Sequence, residues 1–227
     1  MTLSVLIPAY QERKTIADII ERVLRQPRVS QVIIVDDGST DGTREFLESI
    51  DGKDPRIQIC FHAHNRGKGA AIRTALPFAH SDICIIQDAD LEYSPMDFES
   101  VIAPIVNGTT KVVYGSRVLH GENEYPIDRF RVGSYIVTKA ANWLYRAKLT
   151  DEPTGYKAFE TQFLQSLPLE STGFEICPEL TAWTRKRGET IIEVPIRYDR
   201  RTVAEGKKIR WTDGTMALWT LLRLRLK

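Results

Sequence analysis

Three carboxylates stand at alternate positions in Gln87-Asp88-Ala89-Asp90-Leu91-Glu92, directly after the apolar run Ile83-Cys84-Ile85-Ile86. A strand sends successive side chains to opposite faces, so Asp88, Asp90 and Glu92 share a face if the extended geometry continues past Ile86. Three hard oxygen donors there could hold a divalent cation and leave positions open for water and phosphate. The plainer reading of the same residues is an acidic surface turn, and Asp-x-Asp alone does not decide between the two.

Three further polar segments follow apolar runs: Pro8-Ala9-Tyr10-Gln11-Glu12, Asp36-Asp37-Gly38-Ser39-Thr40-Asp41-Gly42 and Asn65-Arg66-Gly67-Lys68-Gly69. Each alone is good turn and helix-capping chemistry. All four at one sheet edge would instead make a composite crevice. The first loop lacks the Gly-x-Gly-x-x-Gly that a dinucleotide's pyrophosphate requires, and the third lacks a full P-loop pattern. Tyr10, with a carboxylate such as Asp37, suits a single nucleotide better than a dinucleotide.

The elements that must position these loops are legible as alternating runs. Strands are expected at 3–7 (stopped by Pro8), 32–35, 57–62 and 82–87, with helices at about 14–26, 42–50 and 68–79. Near-continuous apolar strands alternating with helices predict a parallel sheet covered on both faces, with ligands at the strands' carboxyl ends. Further on, helices are expected at 97–106, 131–147, 176–187 and 211–226, strands at 111–115 and 190–196, and a turn into a short extended piece at 155–159.

Composition narrows the classes. The chain has 227 residues with 31 Lys or Arg against 30 Asp or Glu, so no global field marks a nucleic-acid binder. Cys60, Cys84 and Cys177 have neither zinc nor disulfide spacing and read as reduced core thiols of a cytosolic protein. His62, His64, His80 and His120 show no ligand spacing and read as surface imidazoles. Met1-Thr2-Leu3 runs straight into a strand, so no signal peptide is expected. No apolar run reaches the roughly 18 to 20 residues of a membrane span.

The series Ile-Pro-Ala-Tyr-Gln-Glu, Val-Asp-Asp-Gly-Ser-Thr-Asp-Gly-Thr, Asn-Arg-Gly-Lys-Gly and Asp-Ala-Asp resembles the family-two glycosyltransferases of the GT-A fold. Gly115-Ser116-Arg117, Thr154-Gly155-Tyr156-Lys157-Ala158-Phe159 and Arg201 through Glu205-Gly206-Lys207-Lys208 are similar to the dolichol-phosphate mannosyltransferase branch without transmembrane helices. The resemblance spans about residues 3 to 215. It implies an α/β GT-A domain over 1–227, with a nucleotide-sugar half (1–92), an acceptor half (93–210) and a C-terminal amphipathic helix (211–227).

The resemblance also implies inverting sugar transfer from a nucleotide sugar with Mn2+ or Mg2+ on the diphosphate. Pro8, Tyr10, Glu12, Asp37, Lys68, Asp88 and Ala89 would bind the donor, and Asp88, Asp90 and Glu92 the metal. That branch more often has Gln-His-Pro-Pro where this chain has Glu92-Tyr93-Ser94-Pro95, which leaves the donor sugar open, of GDP-mannose or UDP-glucose type. A nucleoside-diphosphate leaving group needs cations. Asp90, Arg117, Arg131 and Arg201 are the candidate catalytic residues, with Lys207 and Lys208 behind them. Arg201 starts a basic loop, 200–210, long enough to fold over a site. A polyprenyl phosphate acceptor is already an anion; a sugar hydroxyl needs a base, for which Glu175 or Glu179 is available, though either could be a helix-start charge.

The leading expectation is transfer to a polyprenyl phosphate; the alternatives are transfer to a hydroxyl of a growing cell-surface glycan and nucleotide-sugar binding without turnover. Trp211, Leu218, Trp219, Leu221, Leu222, Leu224 and Leu226, framed by Arg210, Arg223, Arg225 and Lys227, predict a terminal helix that meets a membrane surface or a small membrane-embedded protein. A helix packed on the protein's own core is the alternative. The expected location is the cytoplasmic face of a membrane.

Overall fold

Period-2 alternation in the apolar runs builds a sheet with two buried faces. Val5 and Ile7, Val32 and Ile34, and Ile83 and Ile85 join one core, while Leu6, Ile33 and Val35, and Cys84 and Ile86 join the other. The computed structural model describes residues 1–119, 121, 123, 129–201 and 211–227. Its strands are β1 (Leu3–Ala9), β2 (Val29–Asp36), β3 (Ile57–Phe61), β4 (Ile83–Ile86), β5 (Val112–Ser116), β6 (Lys157–Glu160) and β7 (Ile191–Pro195). The helices are α1 (Ile16–Leu24), α2 (Thr43–Ile50), α3 (Lys68–Ala75), α4 (Phe98–Val106), α5 (Arg129–Tyr145), α6 (Thr161–Gln165), α7 (Ile176–Lys186) and α8 (Trp211–Leu226).

The strands lie in the order β3-β2-β1-β4-β6-β5-β7. All pairs are parallel except β4–β6 and β5–β6, so β6 alone runs against the others. Six carboxyl ends and the start of β6 therefore meet at one edge. β1 continues past Pro8 to Ala9, with Pro8 in register with Val35, two residues beyond the expected stop.

Helices α1, α2 and α4 bury Ile16, Ile19, Ile20, Val23, Leu47, Phe98, Val101 and Ile102 on the first face. Helices α3, α6 and α7 bury Ala71, Ile72, Phe163, Leu164, Ile176 and Leu180 on the second. A third core joins α5, α7 and α8 through Val137, Ala141, Tyr145, Ala182, Ala217, Leu221 and Leu224. Among the described residues no helix is long and apolar enough to cross a membrane.

Candidate active site

The first two loops at the carboxyl edge are laced together. Gln11 N donates to Ser39 Oγ (3.0 Å), Gln11 Nε2 to Thr40 Oγ1 (3.0 Å), Glu12 N to Thr43 Oγ1 (3.0 Å) and Arg13 N to Asp41 Oδ2 (3.0 Å). Gly38, at φ +78°, lets the second loop press on the third: a Cβ there would lie 2.6 Å from the His64 carbonyl carbon. Asp37 ties the same loops by accepting from Arg66 N (2.9 Å), Gly67 N (2.7 Å) and His62 Nδ1 (2.6 Å). His62 is thus buried rather than a surface imidazole, with Nε2 2.9 Å from Thr74 Oγ1; His64 is exposed as expected. Tyr10 is half-buried on the first loop and Pro8 half-buried at the end of β1.

The Gly67-Lys68-Gly69 opening of α3 is closed to a phosphate. Gly69 N donates to Gly173 O (3.2 Å) and Ala70 N to Thr172 O (2.9 Å). A side chain at Gly67 would strike Thr172 O at 2.4 Å, and one at Gly69 would strike Ser171 O at 2.6 Å.

The loop after β4 departs from the sequence expectation. The strand ends at Ile86, the chain turns at Ala89-Asp90, and Leu91 takes φ +66°. The three carboxylates therefore do not project from one extended face. Among the described residues no three Asp, Glu, His or Cys side chains converge as a metal site. Asp88 Oδ1 lies 2.5 Å from Lys68 Nζ. Glu92 accepts from Arg201 N (2.8 Å) and Tyr198 OH (3.2 Å). Asp90 Oδ2 lies 3.1 Å from Arg201, whose guanidinium also forms a fork on Glu12 at 3.0 and 3.1 Å. Burial, and then the charges of Asp88 and Glu92, push the Asp90 carboxyl up to about 7 against the pull of Arg201. Burial, the largest single influence, opposes the Lys68 charge, but Asp88, Cys177 and Asp90 together hold the ammonium above its usual range.

One sheet edge thus gathers Glu12, Asp88, Asp90, Lys68 and Arg201 from four separate segments. A family model, "Glycosyl transferase family 2", matches residues 4–167. The chain belongs to glycosyl transferase family 2. Two curated relatives align along nearly its whole length. The UDP-N-acetylglucosamine–dolichyl-phosphate N-acetylglucosaminyltransferase of Methanococcus voltae is 28% identical, over 97% of this chain and 95% of that protein. The undecaprenyl-phosphate mannosyltransferase of Micrococcus luteus is 27% identical, over 100% and 99%. The structure is similar to that of glucosyl-3-phosphoglycerate synthase from Mycobacterium tuberculosis, solved with Mn2+, UDP and phosphoglyceric acid. The TM-score is 0.75 at 21% identity, covering 99% of this chain and 78% of that one. The glycosyltransferase has the α/β GT-A fold, with a mostly parallel central sheet.

The other expected residues of this family 2 glycosyltransferase fall as follows. Ala89 is buried in the turn between the two aspartates. Arg117, buried at the end of β5, forks onto Asp151 (2.6 and 2.7 Å) and lies over the Tyr198 ring, so it braces the edge. Arg131 is half-buried in the first turn of α5. Glu179 is fully buried, and its oxygens accept from Glu170 N (3.0 Å) and Ser171 N (2.8 Å). Glu175 Oε1 accepts from Thr172 N (3.1 Å) and Gly173 N (2.9 Å). Both glutamates anchor the loop that packs on α3. Arg201 is docked on the carboxylates; Lys207, Lys208 and Arg210 lie outside the described residues, as does His120.

Sequence reasoning passed over the floor of the site. Tyr93 stacks on Tyr156 with centroids 5.2 Å apart, and Tyr198 lies 5.6 Å from Tyr93. Tyr156 OH donates to Ser94 O (2.9 Å). Gly155 passes so close to the aspartate loop that a Cβ would lie 2.4 Å from Asp88 Oδ2. Lys157 is fully buried, its Nζ donating to Glu152 O (2.7 Å). The Thr154–Lys157 string was visible as a motif, but its contact with Asp88 had no local signal.

Proposed function

We propose that this glycosyltransferase moves a hexose, with inversion, from a nucleoside-diphosphate sugar bound at the carboxyl edge of the sheet. The observation that carries the proposal is the Glu12–Arg201–Asp90 and Asp88–Lys68 constellation, carboxylates and cations in contact where four loops end. Pro8, Tyr10, Asp37 and Ala89 border the donor site. The donor set suits Mg2+ or Mn2+: Asp88 and Asp90 offer hard oxygens where carboxylates crowd together, burial and the charges of Asp88 and Glu92 raising the Asp90 carboxyl. Glu92, whose oxygens accept from Arg201 N and Tyr198 OH, would stand behind that pair. A cation on Asp88 and Asp90 would neutralise charge growing on the departing diphosphate. Arg201 adds a forked donor and keeps a buried Nε without a hydrogen-bond partner among the described residues. The solved Mycobacterium tuberculosis structures with Mn2+ and UDP support this donor reading.

Two acceptor classes have support. The structural neighbour solved with phosphoglyceric acid supports a hydroxyl acceptor, for which Glu175 is the more accessible of the two candidate bases. The curated relatives named for dolichyl-phosphate and undecaprenyl-phosphate support a polyprenyl phosphate acceptor, which needs no base. The second class would place the enzyme on the cytoplasmic face of a membrane, on lipid or on a small membrane-embedded protein.

The test pairs GDP-mannose, UDP-glucose and UDP-N-acetylglucosamine with Mn2+ and, in parallel, with polyprenyl phosphate, phosphoglycerate and an oligosaccharide. Mass spectrometry identifies the product. Donor binding without any product would make the chain a binding module; no donor binding at all would end the proposal.

A further inference from the structure

Helices α5 and α8 each bury one face in the third core and, among the described residues, leave the other apolar face uncovered. On α5, Val132 (48% exposed), Tyr135, Ile136 and Trp143 (81%) point outward. On α8, Met216, Trp219 (58%), Leu222 and Leu226 (81%) do the same. The helices form one unit: Val137, Ala141 and Tyr145 pack with Ala217, Leu221 and Leu224, and Tyr145 OH donates to Leu221 O at 2.7 Å. Two tryptophans this exposed on one helical pair need an account.

Charge says what covers them. Residues 129–148 and 211–227 hold eight Lys or Arg and one Asp, in a chain whose totals are 31 and 30. Arg223 and Lys227 reach Glu170 at 3.9 and 3.0 Å, and Lys139 lies over the Tyr135 ring; these two stretches carry a net +7 in a chain whose net charge is +1. A second copy docking through the same face would set these like charges against each other. A surface with an apolar interior and an anionic skin fits both features, since Trp and Tyr sit at the headgroup level while Lys and Arg meet acidic headgroups.

We infer that the exposed α5–α8 face is a docking surface for an anionic phospholipid bilayer, seating the enzyme peripherally. This goes beyond the donor reading and holds for either acceptor class. It adds α5 to the terminal helix expected from sequence, and it leaves Leu221 and Leu224 in the core rather than in lipid.

The test uses the full chain with phosphatidylcholine vesicles, with and without 30% phosphatidylglycerol. Co-sedimentation and tryptophan emission are measured for the wild type and for W143S/W219S. Both tryptophans are exposed, so circular dichroism and the urea midpoint should match the wild type. The wild type should bind anionic vesicles at least tenfold more tightly than neutral ones and lose most of that binding in 0.5 M salt. The double variant should bind at least tenfold more weakly, with no blue shift on adding lipid. Equal binding by both proteins, or no binding by the wild type, would overturn the inference. So would a wild-type dimer that the double variant dissociates, which would assign the face to a second copy. Turnover of a water-soluble acceptor without vesicles is read separately, so failure to dock and failure to transfer sugar are distinguishable.

Discussion

Replacing Gly155 by Ala adds one methyl group at the tightest point of the site. The new Cβ would stand 2.4 Å from Asp88 Oδ2 and 3.0 Å from Lys68 Nζ. The first distance is roughly 1 Å short of ordinary van der Waals contact. Asp88 cannot swing away cheaply: its other oxygen lies 2.5 Å from Lys68, and the two side chains are only 19% and 12% exposed. Relief must come from moving the carboxylate, the ammonium or the backbone ahead of β6. Overpacking of this kind costs about 1–3 kcal/mol, with about 3–5 kcal/mol as the ceiling if the buried pair separates outright. If Asp88 and Lys68 position the diphosphate as proposed, a shift of about 1 Å there should lower the rate about a hundredfold. The assays are the urea midpoint, binding of UDP or GDP with Mn2+ by calorimetry, and donor turnover. Gly133→Ala in α5 is the control, because nothing lies within 4 Å of its Cβ position; it should be neutral or stabilising by up to about 1 kcal/mol. A Gly155→Ala enzyme within twofold of wild type in all three assays would refute the idea that this contact fixes Asp88.

Asp90→Ala should abolish transfer while leaving a folded protein, and a variant that still turns over at the wild-type rate removes Asp90 from the site. Arg201→Ala should cut the rate at least about a hundredfold, with Arg201→Lys recovering little because a point charge replaces the fork on Glu12; full activity in the lysine variant would contradict this. Glu179→Gln should lower the urea midpoint by about 1–3 kcal/mol equivalent with the rate per folded molecule kept, since two loop amides lose a charged acceptor. Lost rate at unchanged stability would instead make Glu179 the base. Arg117→Met should destabilise by about 3–5 kcal/mol by stranding buried Asp151, measured by denaturant unfolding.

The unbroken apolar runs Val32–Val35 and Ile83–Ile86 were enough to place the central strands, because burial on both sheet faces demands them. The helical spacing of Ile16, Ile19, Ile20 and Val23 did the same for α1. Helix α6 escaped because five residues hold too little of a period to read. The reversed direction of β6 escaped because a four-residue strand, Lys157–Glu160, looks the same either way round; its partners, far off in sequence, decide it. A shared face for Asp88, Asp90 and Glu92 depended on extended geometry past Ile86; the strand stops there, and Leu91 in a left-handed conformation redirects the chain. The Arg117–Asp151 and Arg197–Asp97 pairs span 34 and 100 residues and leave no local trace. Arg201 was picked out by its place in a basic loop, yet its clasp on Glu12 could be seen only in three dimensions.

The backward strand has a consequence for how this chain can be divided. β4 is paired on one side by β1 and on the other by β6, so the segment bearing Asp88 and Asp90 has no second neighbour until residues 157–160 exist. A fragment ending at residue 92 would contain every polar loop of the donor half. It would also expose the amides and carbonyls of Ile83–Ile85 as an open edge and lack the glycine that closes on Asp88. During synthesis the donor edge therefore stays unfinished until more than half the chain has left the ribosome. A chimera that exchanges donor specificity must for the same reason carry its junction beyond β6, not at residue 92, where the nucleotide-sugar half was expected to end.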